Sequence, residues 1–319
     1  MPDYMISAVI NTLNAERSIE RTLVSLKDRV EEIVVVDMHS DDATVSVCKK
    51  YTDKIYFFDR TGYVEPARNF AIEKASHPYI LVIDADEEAP PQLLERLREL
   101  TQQDSACDYV KIPMRTYFLG HSMHNKSMWP DYHIRFFKKG MVSWNNHIHS
   151  FPNVTGKELL LEAEDELALK HYFCEKISDF LKRIDGYTDK EAESLLLHNT
   201  HFRWQGLLRS PTREFTKRFF KFEGYIDGSY GLIYSLLMAC YGFISYAKAF
   251  ERGHTHTESL SKKNSFLSDT VQELYKCFLH IIGGIARLQN KILGTFSYKN
   301  IFPSIKLKVI YICANILKK

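Results

Sequence analysis

Tyr79-Ile80-Leu81-Val82-Ile83-Asp84-Ala85-Asp86 is an apolar run that ends in two carboxylates one residue apart. The run reads as a buried strand. Residues two apart on a strand share a face, so Asp84 and Asp86 can address one ion while Ala85 points away. Hard carboxylate oxygens at an exposed strand end suit Mg²⁺ or Mn²⁺, either of which bridges to a diphosphate. The competing reading is a solvated acidic turn completed by Glu87 and Glu88.

Upstream, Met5 to Ile10, Ile33 to Val36 and Lys54 to Phe58 read as three further strands. Between the first two, Ile19, Leu23 and Leu26 recur at helical spacing behind Asn14, a suitable N-cap. Ala67, Phe70, Ala71 and Ala75 share one face of a helix ahead of the acidic strand. Pro90 and Pro91 open another helix, through Leu93, Leu94 and Leu97. Such alternation implies parallel strands in an open α/β sheet, whose ligands bind beyond the carboxyl ends of the strands.

The polar residues at those ends are Thr12, Asn14 and Glu16 after the first strand, Asp37 after the second, and Asp84 and Asp86 after the fourth. They are expected to converge on one crevice. Asp37 also reads as a helix-capping turn residue, and Glu16 as a carboxylate favoured by a helix dipole. The first strand runs into Asn11-Thr12-Leu13-Asn14-Ala15-Glu16 rather than GxGxxG, and the sequence has no Walker A motif, which argues against a dinucleotide dehydrogenase and a P-loop enzyme.

The chain of 319 residues has room for a sizeable catalytic domain and a smaller appendage. Its 42 Lys and Arg against 40 Asp and Glu, a net charge of +2, lack the basic excess that nucleic-acid binding requires. Six cysteines, at 48, 107, 174, 240, 277 and 313, form no CxxC pair and read as thiols in a reducing compartment. Met5 to Ile10 is too short, and lacks the basic lead, for a secretory signal, so a cytoplasmic location is expected.

These motifs together resemble the family 2 glycosyltransferases of GT-A fold. The likeness is carried by Asn14-Ala15-Glu16, Ile33-Val34-Val35-Val36-Asp37 with Ser40-Asp41-Asp42-Ala43-Thr44, Ala67-Arg68-Asn69-Phe70-Ala71 and Asp84-Ala85-Asp86-Glu87. It is strongest from about Ile6 to Leu100 and is recognisable through about Leu197. The resemblance implies a Rossmann-like, mostly parallel sheet flanked by helices. It also implies that Asp37 contacts the nucleoside, that Arg68 and Asn69 lie close to the nucleotide, and that Asp84 and Asp86 position the diphosphate and its metal. Ala15 departs from the acid the family often carries there.

The expected organisation is a catalytic domain over 1–197, with a nucleotide-sugar half to about 102 and an acceptor half to 197, followed by a helical, membrane-associated extension over 198–319. After a strand around Tyr109 to Arg115, Tyr117 to Pro152 is rich in aromatics and histidines and resembles the acceptor-binding part of such enzymes. Inverting transfer needs a base for the attacking hydroxyl. Asp131, ahead of the strand His133-Ile134-Arg135-Phe136-Phe137, is the candidate; the alternative is a turn acid paired with Arg135. His147 and His149 read as structural histidines. His171 stands where the resemblance places a histidine that serves some GT-A enzymes as a further metal ligand.

From Gly228 to Ala247 no residue is charged, and basic residues flank the stretch. A helix lying in a membrane interface fits best, against a packed hairpin or a span. Leu274 to Leu293 forms a second apolar group with an expected break at Gly283-Gly284, and a tail from Ile305 to Ile310 ends in Lys318-Lys319. This third of the chain resembles transferases that extend lipopolysaccharide core. The combined expectation is a hexosyltransferase using a nucleotide-diphosphate sugar and Mg²⁺ or Mn²⁺ on a lipid-linked glycan, peripheral on the inner face of a bacterial plasma membrane. The alternatives are a polyprenyl-phosphate glycosyltransferase and a noncatalytic lipid-glycan binding protein on the same fold.

Overall fold

A computed structural model describes residues 5–60, 65–102, 107–144, 152–198, 204–253 and 263–293. His147, His149, Cys313 and the apolar tail with its terminal lysines lie outside these residues. The chain divides into two compact units, one of Met1–Met123 with Met128–Glu175, the other of His124–Ser127 with Lys176–Lys319.

In the first unit β1 (Ile6–Thr12), β2 (Glu32–Asp37) and β3 (Ile55–Phe57) alternate with α1 (Ile19–Leu26) and α2 (Thr44–Cys48). Helix α3 (Glu65–Lys74) leads into β4 (Tyr79–Asp84), followed by β5 (Glu87–Glu88) and α4 (Pro91–Gln102). The remaining strands are β6 (Tyr109–Phe118), β7 (His121–Ser122), β8 (Asp131–Lys138), β9 (Val142–Ser143), β10 (Asn153–Val154), β11 (Glu158–Leu160) and β12 (Leu169–Cys174). The main sheet runs β3-β2-β1-β4-β8-β6-β12-β5 and is parallel from β3 to β4. Strand β1 lies between β2 and β4, so the order reverses there, and in open α/β sheets such a switch point is where ligands bind.

Strict alternation builds the two faces of this sheet. Ile6, Ala8 and Ile10 of β1, Ile33 and Val35 of β2, and Tyr79, Leu81 and Ile83 of β4 pack with Leu23, Leu26, Leu93 and Leu97 from α1 and α4. Val9, Val34, Val36, Ile80 and Val82 pack on the other face with Ala67 and Ala71 of α3. A shift of one residue would exchange these sets, which is why the register is firmly held. Asn14 does not cap α1: Ser18 stands at that position, and Asn14 has a left-handed φ of 51° in the loop before it.

The second unit is helical: α5 (Ile177–His198), α6 (Gly206–Thr216), α7 (Gly228–Gly253) and α8 (Lys263–Leu293). Helix α5 packs along α7, where Lys248 meets Asp185 at 2.7 Å and Asp189 at 3.1 Å. It therefore belongs to this unit, and the division falls after Glu175 rather than at 197. Small residues let α6 and α7 approach closely. Ser210 Oγ donates to the Gly242 carbonyl at 2.9 Å, and a Cβ on Gly206 would meet the Tyr246 ring. Helix α8 passes through Gly283-Gly284 without the expected break. The reason is packing: Phe220 lies against Gly284, where a Cβ would be 2.3 Å from the ring.

Candidate active site

Strand parity decides which side chains meet at the end of β4. Asp84 shares the face of Ile80 and Val82, the face covered by α3, and there Arg68 from α3 reaches both of its oxygens at 2.8 and 3.0 Å. Strand β8 runs antiparallel to β4, with Phe137 opposite Ile80 and packed on the same face. Arg135, two residues before Phe137, therefore turns toward Asp84. Its Nη2 donates to Asp84 at 2.7 Å and to Glu87 at 2.5 Å, from a side chain only 5% exposed.

Glu87 is the part of this cluster that the sequence did not announce. With Glu88 it forms β5, paired to β12 with His171 opposite Glu87, and it is buried rather than solvated in a turn. Its carboxylate accepts the Asp84 backbone N–H at 2.8 Å, closing the acidic turn on itself. The same pairing brings β12 to the turn, since the Tyr172 N–H donates to the Asp86 carbonyl at 2.9 Å. His171 Nε2 then lies 3.5 Å from Asp86 Oδ2. An arginine inside the aromatic run Ile134-Arg135-Phe136-Phe137 was the available signal, because a buried guanidinium requires buried acids.

The electrostatics follow. Burial alone would push the Asp84 carboxyl up, but Arg135 and then Arg68 override it and hold Asp84 far below the usual carboxylate range. Glu87 goes the other way: its burial outweighs Arg135, with the Asp84 charge adding to the rise. Burial opposes the charge on His171, yet the hydrogen bond and charge of Asp86, with Glu87 and Asp84 behind, raise it above its ordinary value.

Asp131 and His133 share one side at the half-exposed start of β8, and the register of β8 on β6 shifts between Ile134 and Phe136, so strand parity does not carry from them to the buried Arg135. Asp131 is not paired with Arg135. Its Oδ2 lies 3.0 Å from His133 Nε2, and that hydrogen bond holds its carboxyl below the ordinary value, with smaller contributions from His171 and Arg135. The candidate base is thus in the electrostatic field of the cluster and 47% exposed.

The other strand-end residues make their hydrogen bonds elsewhere. Asp37 shares the face of Ile33 and Val35, opposite that of Asp84, and is fully buried. Both of its oxygens are occupied by Ser40, the backbone N–H donating at 2.8 Å and the hydroxyl at 2.6 Å. Asn14 receives the Asp41 N–H on Oδ1, and Glu16 receives the N–H of Ala43 ahead of α2, outside the first turn of α1. These residues tie the loop after β1 to the loop after β2. Asn69 clamps Trp144, donating to its carbonyl at 2.7 Å and accepting its N–H at 2.9 Å.

Mg²⁺ or Mn²⁺ fits what remains. Of the three expected ligands, Asp84 has both oxygens on guanidiniums, while Asp86 and His171 have side chains 32% and 23% exposed. Arg68 Nε, Arg135 Nε and Nη1 and, across the ladder from Asp84, Asn11 Nδ2 are buried without hydrogen-bond partners, as is Thr12 Oγ1 beside Asp37. Buried polar groups of this kind ordinarily have partners in protein, water or ligand.

The family model described as glycosyl transferase family 2 matches residues 7–159. An uncharacterised glycosyltransferase of Rickettsia conorii is 24% identical over 275 residues, covering 83% of this chain and 94% of that protein. The lipopolysaccharide core biosynthesis glycosyltransferase LpsC of Rhizobium meliloti is 24% identical over 257 residues, covering 79% of this chain and 94% of the relative. Among solved structures, TarS residues 1–349 from S. aureus in complex with UDP superimposes with a TM-score of 0.42 at 14% identity, covering 81% of this chain and 94% of that one.

Proposed function

From the premise that residues 7–159 are a glycosyl transferase family 2 domain and the chain a glycosyltransferase, we propose an inverting enzyme that moves a hexose from a UDP-linked sugar to a hydroxyl of a lipid-linked glycan. It works at the cytoplasmic face of a bacterial membrane. The observation that carries this reading is the cluster at the end of β4, where two arginines hold Asp84 while Asp86 and His171 remain available. The name of LpsC supports a lipopolysaccharide core acceptor. Among the described residues, Gly224–Gly253 is long and apolar enough to cross a membrane. Its exposed Leu232, Leu236 and Phe243 recur along one side, which supports a helix lying in the interface.

In the proposed reaction Asp131 accepts the proton of the acceptor hydroxyl. That oxygen forms its bond to the anomeric carbon on the face opposite the diphosphate, and the electron pair of the breaking carbon–oxygen bond leaves with the diphosphate. Asp131 suits the role as a half-exposed carboxylate, ionised at neutral pH as any ordinary one is, at the open start of β8; the His133 hydrogen bond that lowers it makes it a weaker base. Arg68 and Arg135 keep positive charge fixed at the strand end, the preorganised electrostatics that ordinarily supply most of the acceleration. Asp86 and His171 would hold the cation, and a carboxylate with an imidazole favours Mn²⁺ over Mg²⁺. A cation held by them would supply positive charge for the departing diphosphate. Ligation by His171 requires its proton to leave, so metal affinity rises with pH. The loop held by Asp37 and Ser40 is the proposed nucleoside side, with Thr12, Asn14 and Glu16 across from it.

A screen of UDP-hexoses against a lipopolysaccharide acceptor tests the proposal. Asp86→Ala is expected to abolish transfer with its circular dichroism spectrum intact. EDTA treatment should stop the wild type, and Mn²⁺ should restore it; full turnover after chelation would remove the metal role. Asp131→Asn should lower kcat by about 10²–10⁴-fold with UDP affinity unchanged. Full activity of that variant would favour a phosphate acceptor, which needs no base.

A further inference from the structure

The helical unit holds a cavity of about 990 Å³ bordered by α5, α6, α7 and α8. One wall is apolar and aromatic, from Leu195, Met238, Tyr241 and Tyr246. Another is cationic and comes mostly from one helix: Arg209, Arg213 and Lys217 follow at four-residue spacing along α6 and the π-helical turn Lys217–Lys221 that continues it. Like charges at this spacing repel along a helix. Two acids also line the cavity, Glu214 beside Arg213 on α6 and Glu191 on α5.

Neighbouring carboxylates answer only part of that charge. Glu273 takes Arg209 through two bonds of 2.6 and 2.7 Å, and it is shared with Lys276 at 2.6 Å. Arg218, also on the cavity, lies 3.4 Å from Glu214. Arg213 and Lys217 have no ion-pair partner among the described residues, and Lys217 meets only the Phe222 ring at 5.7 Å. The negative end of α6 accounts for cations at Arg213 and Lys217. Lys276 enters the same cavity from α8, its ammonium held by Glu273.

The geometry points to a binding site for a phosphate-headed amphiphile, its phosphate held by Arg213 and Lys217 and its first apolar segment against the Tyr241 and Met238 wall. Guanidinium and ammonium groups are the usual phosphate partners, and the volume is that of a ligand site rather than a packing defect. As a subsite for the acceptor this rests on the proposed function, since a glycan linked to lipid through a phosphate ester is such an amphiphile. As a binding site it rests on the cavity alone.

Calorimetric titration of the full chain tests it with three probes: dihexanoyl phosphatidic acid below its micelle concentration, dihexanoyl phosphatidylcholine, and inorganic phosphate. The phosphatidic acid should bind at least about tenfold more tightly than either of the others. Arg213→Glu with Lys217→Glu should remove that binding, and the milder Arg213→Gln with Lys217→Gln should weaken it about tenfold at an unchanged thermal midpoint. Asp86→Ala should bind it as the wild type does, which separates failure here from failure of the donor site. Inorganic phosphate binding as tightly as the amphiphile would make this a free-phosphate site, and equal affinity for phosphatidylcholine would make it charge-independent lipid adsorption. Either result, or undiminished binding in the glutamine pair, overturns the proposal.

Discussion

Arg135 carries one positive charge to the buried Glu87 and the partly buried Asp84, and removing it leaves the two carboxylates facing each other. Arg135→Met should destabilise the first unit by about 3–5 kcal/mol in urea unfolding, the range for breaking a buried ion pair from one side. Adding Glu87→Gln should return a large part of the loss, because the remaining Asp84 charge still has Arg68. A strand reading alone cannot find this arrangement. Arg135 is 51 residues from Asp84 and 48 from Glu87, and only the antiparallel pairing of β4 with β8 brings them to one face. Asp131 was legible as a strand-start acid. Its partner was not, since the choice between Arg135 and His133 depended on which acids claimed the arginine first.

Among the elements, α7 shows how a single hydrogen atom at Cα sets a contact. A Cβ on Gly231 would stand 1.8 Å from the Gly224 carbonyl oxygen, a backbone atom without the freedom of a side-chain tip. Gly231→Ala should therefore cost the helical unit about 1–3 kcal/mol, the usual range for overpacking, read as an early melting component in a thermal scan. The first unit should melt as before. Propensity misled at Gly283-Gly284, because glycine opposes a helix by roughly 1 kcal/mol per residue while the seat it leaves for Phe220 returns the packing of a whole aromatic ring. In the same way β5 was hidden in an acidic turn, because two residues carry no periodicity and its strand character comes entirely from pairing with β12.

At the scale of the whole molecule, pH resistance of the first unit depends on Glu32. Burial would raise this carboxyl, but Lys54, Ser7 and Ser76 together lower it from 4.5 to about 2. Between those values the unfolded chain binds more protons, so the stabilisation is complete above about 4.5 and is lost as pH falls toward 2. Glu32→Gln should flatten that part of the acid unfolding curve and cost about 1–3 kcal/mol at pH 7, because the Ser7 hydroxyl and Ser76 N–H lose a charged acceptor. By itself the sequence determined the strand and helix alternation, the two faces of the sheet, the acidic end of β4 and the apolar character of α7. Those are periodic or contiguous signals, and hydrophobic burial reads them locally. Only the tertiary structure decided that Asp84 belongs to two arginines, that Asp37 turns to the opposite face and holds Ser40, and that α5 packs with the helical unit. Such choices are competitions among partners distant in the chain, and the sheet order and helix packing determine which of them come within reach.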